Sequence, residues 1–290
     1  MAARRPAPPP ATRLAPLVAA LAAACLPPRA PHPRALEQVR RGYAHLAAGE
    51  RERAEVAFAH ALEIEPGLPE ARNALGVALR LDGRPDAARA WWEAAAADGL
   101  AEARSNLGAA LADSGRDPEA LEAFSEALAF DPDLLAPRLG RARVQLRRAL
   151  AARGAERASG LALARRDLLH AVEAVPDRPE PHRDLGYVAW AQGDLELSAA
   201  SYGRAAALAP GDAGAHHGRC AALALLGRCA EAREACLRCL AIDSGQAGCA
   251  ASLAGAGACE APPPNDDGAP GTGAPSTSAG IFSGDLSGHR

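Results

Sequence analysis

Seven cysteines carry most of the reactive chemistry in this 290-residue chain, and they are unevenly placed. Cys25 stands alone near the amino end, while Cys220, Cys229, Cys236, Cys239, Cys249 and Cys259 crowd into one short region. An even number of thiols so grouped forms a disulfide framework in an oxidising compartment. In a reducing compartment the same residues are small, buried apolar side chains. A third chemistry is a thiolate zinc site on Cys236-x-x-Cys239 with His216 or His217. Both cysteines fall inside a helical run rather than a knuckle, which weighs against that site. No other group of residues suggests catalysis. There is no GxSxG elbow, phosphate loop or HExxH, and apart from His216-His217 the histidines are scattered singly. The expectation is a non-catalytic protein with no cofactor and no bound metal.

The elements that position these cysteines show most clearly in residues 101–132, AEARSNLGAALADSGRDPEALEAFSEALAFDP. Two runs, each apolar at i, i+3, i+4 and i+7, are broken once at Ser114-Gly115 and stopped by Asp131-Pro132. That is a helical hairpin. Small residues at Gly108, Ala120 and Ala127 allow close approach, and Leu107, Phe124, Leu128 and Phe130 fill the space around them. One hairpin cannot bury its own apolar faces, so its neighbours must be similar.

The period near 34, with small residues at positions 8, 20 and 27, an aromatic at 24 and proline at 32, resembles the tetratricopeptide repeat. Gly42, Phe58 and Pro66 mark a first copy over 35–68, and Gly76, Ala88 and Trp92 a second over 69–100 that lacks the proline and runs two residues short. The third is 101–132. A fourth, 133–178, begins with Leu139-Gly140 and carries about 12 extra residues around Leu150–Leu161, which lengthen both its helices. Gly186, Tyr202 and Pro210 mark the fifth (179–212), and Cys220, Cys236 and Cys239 take the small and aromatic positions of the sixth (213–246). A half-repeat over 247–258 reads as a capping helix. The resemblance implies an all-α, right-handed α-solenoid of about six hairpins plus that cap, over 35–258. In the first repeat Gln38, Arg41 and His45 occupy core positions, while the apolar face is Leu36, Val39, Tyr43 and Leu46. Either this end helix is rotated, the preferred reading, or that face lines a groove.

The same resemblance implies that first helices line a concave groove that holds a protein or peptide. Its positions near 2, 5, 9 and 12 carry over to Asn73, Val77 and Arg80, then Glu102, Ser105 and Arg141, and then Arg183, Tyr187, Trp190 and His217. Tyr187 and Trp190, three residues apart, fit either groove or core. The carboxylate clamp of co-chaperone members is not supported, because Leu134 and Val77 stand where it needs lysine and asparagine, although Asn106 and Arg138 match. The implied fold brings Cys220 to Cys236, Cys239 to Cys249, and Cys229 to Cys259 as candidate disulfides.

Residues 1–25 pair Arg4, Arg5 and Arg13 with an apolar run to Cys25, as in a secretory signal too short to span a bilayer. Leu21-Ala22-Ala23-Ala24-Cys25 resembles a bacterial lipobox, with the leucine four rather than three residues before the cysteine. Three readings follow: lipid attachment at Cys25 in the outer membrane, soluble export, or an uncleaved cytoplasmic arm. Residues 26–34 form a Pro-rich tether, and 259–290 read as a disordered tail. The formal charge is −3. Without residues 1–24, 29 Arg face 35 acidic residues, or −6, so nucleic acid is not an expected partner. A lipid-anchored chain of six such repeats is similar to the pilotin lipoproteins that assist secretin assembly for type IV pili. The alternative is a cytoplasmic adaptor.

Overall fold

The computed structural model describes residues 30–245 and 247–258. Among these every regular element is a helix: α1 (Pro33–Ala47), α2 (Arg51–Ile64), α3 (Pro69–Leu81), α4 (Pro85–Ala97), α5 (Ala101–Asp113), α6 (Asp117–Phe130), α7 (Leu135–Ala151), α8 (Gly154–Ala174), α9 (Pro179–Gln192), α10 (Leu195–Leu208), α11 (Ala213–Leu225), α12 (Cys229–Ile242) and α13 (Ala247–Ala258). Each odd-numbered helix packs against the even-numbered one that follows, and each pair stacks on the next. The result is an α-solenoid of six hairpins closed by α13.

Sequence punctuation explains the boundaries. Proline opens α1, α3, α4 and α9, where its missing N–H costs nothing. The turn inside the fifth hairpin ends α9 with Gly193 at φ 82°, a left-handed conformation that disfavours any side chain. Gly99, at φ 92°, makes the join after the second hairpin, which has no proline, and allows it to run two residues short.

Within a hairpin the packing reduces to one repeated contact. A Cβ placed on Gly42, Gly76, Gly108 or Gly186 would lie 2.3, 2.5, 2.8 or 2.9 Å from Phe58, Trp92, Phe124 or Tyr202 respectively. The aromatic ring therefore lies flat on bare backbone of the paired helix. Phe124 and Tyr202 also touch the next hairpin, where a Cβ on Gly140 or Gly218 would come within 2.4 Å of the ring.

That second contact corrects the register of the fourth repeat. Gly140 matches Gly218, not Gly108, and the residue facing this hairpin's own second helix is Ala142, which is 1% exposed and clusters with Leu168. The repeat spans 135–178 rather than 133–178, the third spans 101–134, and the extra residues number ten rather than twelve. They extend α7 to 17 residues and α8 to 21. Below, position 1 is residue 35, 69, 101, 135, 179 or 213.

The first helix is not rotated. Gly42 sits on Phe58 as its counterparts do, and Leu36, Val39 and Leu46 pack into the first core cluster beside α3. Gln38, Arg41 and His45 occupy positions that in an inner repeat would meet the preceding hairpin. Here they line an open edge with Glu52, Val56 and His60. Polar residues suit that edge, because no described helix covers it. Trp91, beside Trp92, is partly buried against the first core cluster.

Candidate concave binding face

Successive first helices α1, α3, α5, α7, α9, α11 and the cap α13 touch one another in series and form one face. The Tyr43 phenol has its pKa raised mainly by burial and further by the charge of Glu102, two repeats away. Tyr43 is 43% exposed, with its ring edge-on to Phe58 at 5.3 Å.

Side-chain bridges join neighbouring first helices across this face. Asn106 Nδ2 donates to Asn73 Oδ1 at 2.8 Å, and Arg80 reaches Asp113 at 3.1 Å. Arg143 reaches Asp184 at 2.7 Å, and Arg183 reaches Asp212 at 3.2 Å. These part-exposed pairs are individually worth about 0–1 kcal/mol. A partner's carboxylate could exchange with such a pair at little cost. Tyr187 and Trp190 stack beside the bridges, with ring centroids 6.3 Å apart and planes 21° apart. Both are half-buried. Burial raises the Tyr187 pKa, against the opposing charge of Arg157. Tyr187 also packs on the core cluster of repeats four and five, so it serves core and face together.

The residues expected in the groove divide accordingly. Arg80, Glu102, Arg183, Tyr187 and Trp190 lie along this face with exposed surface. Asn73 and Ser105 are buried at 7% and 6% exposure, and Asn73 acts as a strut rather than an open side chain. Val77 is half-buried against the first core. His217 is 4% exposed and covered by α13, where a Cβ on Gly248 would lie 2.6 Å from the imidazole. Its place in the groove set is withdrawn, because the cap helix occupies that space. Burial lowers its pKa, while the Gly248 backbone acts in the opposite direction.

Arg141 is also withdrawn from the groove. With the corrected register it holds position 7, where repeats two, three and five have Leu75, Leu107 and Leu185. Its Nε and Nη2 donate to Asp167 at 2.7 and 2.8 Å, and its Nη1 to Ser125 Oγ at 3.2 Å. Asp167 is 2% exposed. The concave arginine of repeat four is Arg143, two residues on, and the Leu-Gly pair at 139–140 hid it. Arg138 likewise moves from a clamp position to position 4, where it donates to the Pro132 carbonyl. Three other position-4 side chains bond the proline six residues earlier: Arg72 to Pro66 at 2.8 Å, His182 to Pro176 at 2.9 Å and His216 to Pro210 at 3.2 Å. Sequence reasoning missed this tie between turn and helix, although the proline-plus-six spacing was there to be seen.

At the carboxyl end a sulfur pair takes the place of the glycine–aromatic contact. Cys220 on α11 lies against Cys236 on α12, with sulfurs at bonding distance and Cα atoms 5.3 Å apart. Cys239 lies in the same way against Cys249 on the cap, with Cα atoms 6.3 Å apart. Cys236 and Cys239 thus serve different partners, and among the described residues no three His, Cys, Asp or Glu side chains gather as a metal site. Cys229 opens α12 at the turn edge. Cys259 lies outside the described residues, as do Cys25, the rest of the expected signal sequence and the tail. Among the described residues no helix is long and apolar enough to cross a membrane.

Family profiles agree with this architecture. Tetratricopeptide repeat profiles match residues 101–134 in one case and 39–100, 149–213 and 183–247 in another, together more than half of the chain. The chain belongs to the tetratricopeptide repeat family. The 101–134 match has the bounds that the helices give the third repeat. A search of curated proteins finds no match. Among solved structures the chain is similar to pilF of Pseudomonas aeruginosa, with TM-score 0.66 and 18% identity over 76% of this chain and 97% of that one. It is similar to PilW, described as a widely conserved type IV pilus biogenesis factor, with TM-score 0.63 and 16% identity over 77% and 99%. The APC/C hetero-tetramer Cut9–Hcn1 gives TM-score 0.63 and 15% identity over 77% of this chain, which spans only 42% of that one. At these identities the likeness is one of fold. Tetratricopeptide repeats are protein-interaction scaffolds, and this chain has that architecture.

Proposed function

We propose that this scaffold works in a bacterial envelope, held to the outer membrane through a lipid on Cys25 and facing the periplasm. There it grips a segment of a protein partner along the concave face and assists assembly of a membrane complex such as a type IV pilus secretin. The observation that carries the reading is the placing of Cys220 against Cys236 and of Cys239 against Cys249, pairs that as disulfides would close the last hairpin and pin its cap. Bonds of that kind persist in oxidising compartments and are rare in the cytosol. The signal-like residues 1–25 agree with that placement. So does the fold likeness to PilW, a type IV pilus biogenesis factor. Recognition rests on exchangeable Arg–Asp bridges flanking Tyr187 and Trp190, a mixture of aromatic and arginine side chains that suits extended peptide.

The test is a free-thiol count, by mass after alkylation with and without reduction, on protein taken from its own cells, together with the mass of the amino-terminal peptide. Fully protected thiols at 220, 236, 239 and 249 and an acylated Cys25 are expected. Free thiols with residues 1–24 intact would refute export and leave a cytoplasmic adaptor in which the cysteines are core residues. Secretin capture, weakened by Tyr187→Ala/Trp190→Ala, then tests the partner.

A further inference from the structure

Position 7 is filled by arginine in two inner repeats, and the chain treats the two arginines differently. In repeat four, Arg141 is met by Asp167, the residue before the one facing Ala142, and by Ser125, the residue after Phe124 of the preceding hairpin. In repeat six the arginine is Arg219. The residue before Cys236 is Ala235 and the residue after Tyr202 is Gly203. Both internal partners are therefore missing from the same local geometry.

On the side where Arg141 meets Ser125, Arg219 meets space, while Ala235 is packed in a core cluster with Cys220 and Cys236. A cavity of about 320 Å³ between α10 and α11 is bounded by Glu196, Ala200, Gly203, Arg219, Leu223 and Arg228. A Cβ on Gly203 would lie 3.6 Å from Arg219 Nε, so the glycine leaves the side of the guanidinium uncovered. The acidic groups at the mouth are already held. Arg228 takes Glu231 through Nε and Nη2, both at 2.8 Å, and reaches Glu196 at 3.4 Å. Glu231 feels the charge of Arg219, but among the described residues no carboxylate pairs with the Arg219 guanidinium. A guanidinium half-sheltered over alanine and leucine has few solvent partners and a fork suited to a carboxylate.

We propose that the Arg219 cavity binds a carboxylate supplied from outside the chain, which gives Arg219 the charge partner that Asp167 gives Arg141. A small free acid and the side chain of an aspartate or glutamate on a docked protein share that chemistry. The site lies on the side of the second helices, away from the concave face, and does not depend on what that face binds.

The test uses the purified full chain with arginine labelled for NMR, titrated with succinate, with a blocked Ala-Glu-Ala tripeptide, with its Gln counterpart and with inorganic phosphate. The expected result is a saturable shift of the Arg219 Nε–H signal with a carboxylate probe. Affinity should fall by ~10-fold or more, the worth of one charge-assisted pair, in R219L, which restores the leucine of the other repeats. Tighter binding of succinate than of the tripeptide assigns a free acid, and the reverse order assigns a partner's side chain. The proposal is overturned if no probe saturates, if phosphate or the Gln peptide binds as tightly, or if R219L binds unchanged.

Discussion

Asp167→Ala is the sharpest test of the packing argument. The carboxylate is 2% exposed and accepts two charge-assisted bonds from Arg141, at 2.7 and 2.8 Å. Removing one partner of a buried pair costs ~3–5 kcal/mol, because the other charge stays uncompensated. Arg141 keeps 17% exposure and its bond to Ser125, so the lower end, ~3 kcal/mol, is expected. The double variant Arg141→Leu/Asp167→Ala converts the site to the leucine of Leu75, Leu107 and Leu185. Exchanging a buried pair for apolar packing is often neutral or better, so the double should lie within ~1 kcal/mol of the parent. Urea unfolding followed by circular dichroism gives the two differences. Hydrogen exchange should place the loss in α7 and α8, since each solenoid repeat contacts only its neighbours. A cost below ~1 kcal/mol for the single variant, or a double variant less stable than the single, would refute the reasoning.

Gly108→Ala sets a Cβ 2.8 Å from the Phe124 ring; overpacking of ~1–3 kcal/mol outweighs ~1 kcal/mol of helix propensity, and adding Phe124→Leu, which copies the Ala142–Leu168 contact, should restore the thermal midpoint. His217 is held neutral by burial, with its pKa below the ordinary 6.5. The unfolded chain therefore binds that proton first, and the stability it contributes is complete above about pH 6.5 and lost as pH falls below it. The protection factors of α13, taken relative to intrinsic exchange at each pH, should fall on acidification in the parent, and His217→Phe should flatten that dependence.

The period and the hairpin turns were legible because they rest on backbone chemistry. Pro66, Pro132 and Pro210 stop helices, and Gly115 and Gly193 permit left-handed turns, whatever surrounds them. The open edge at Gln38, Arg41 and His45 was legible as an anomaly but not as a cause. Its reason is the lack of a preceding hairpin among the described residues, and that is a tertiary fact. His217 was misplaced for a similar reason: its position is already buried at Asn73, Ser105 and Leu139, and here a small-residue cap closes over it through Gly248.

The fourth repeat failed for a reason internal to the fold. Phe124 and Tyr202 each pack between two first helices, so there glycine is wanted in two places, at position 8 on the ring's own hairpin and at position 6 on the next. Leu139-Gly140 imitates the Leu-Gly of positions 7 and 8 while serving position 6. The insertion removes the fixed spacing to the second helix that would have exposed the slip. Once the two glycine roles are separated, Arg141 becomes a core substitution and Arg143 the concave side chain. The same separation reveals Arg219 as a second core arginine, one that pairs with no carboxylate among the described residues.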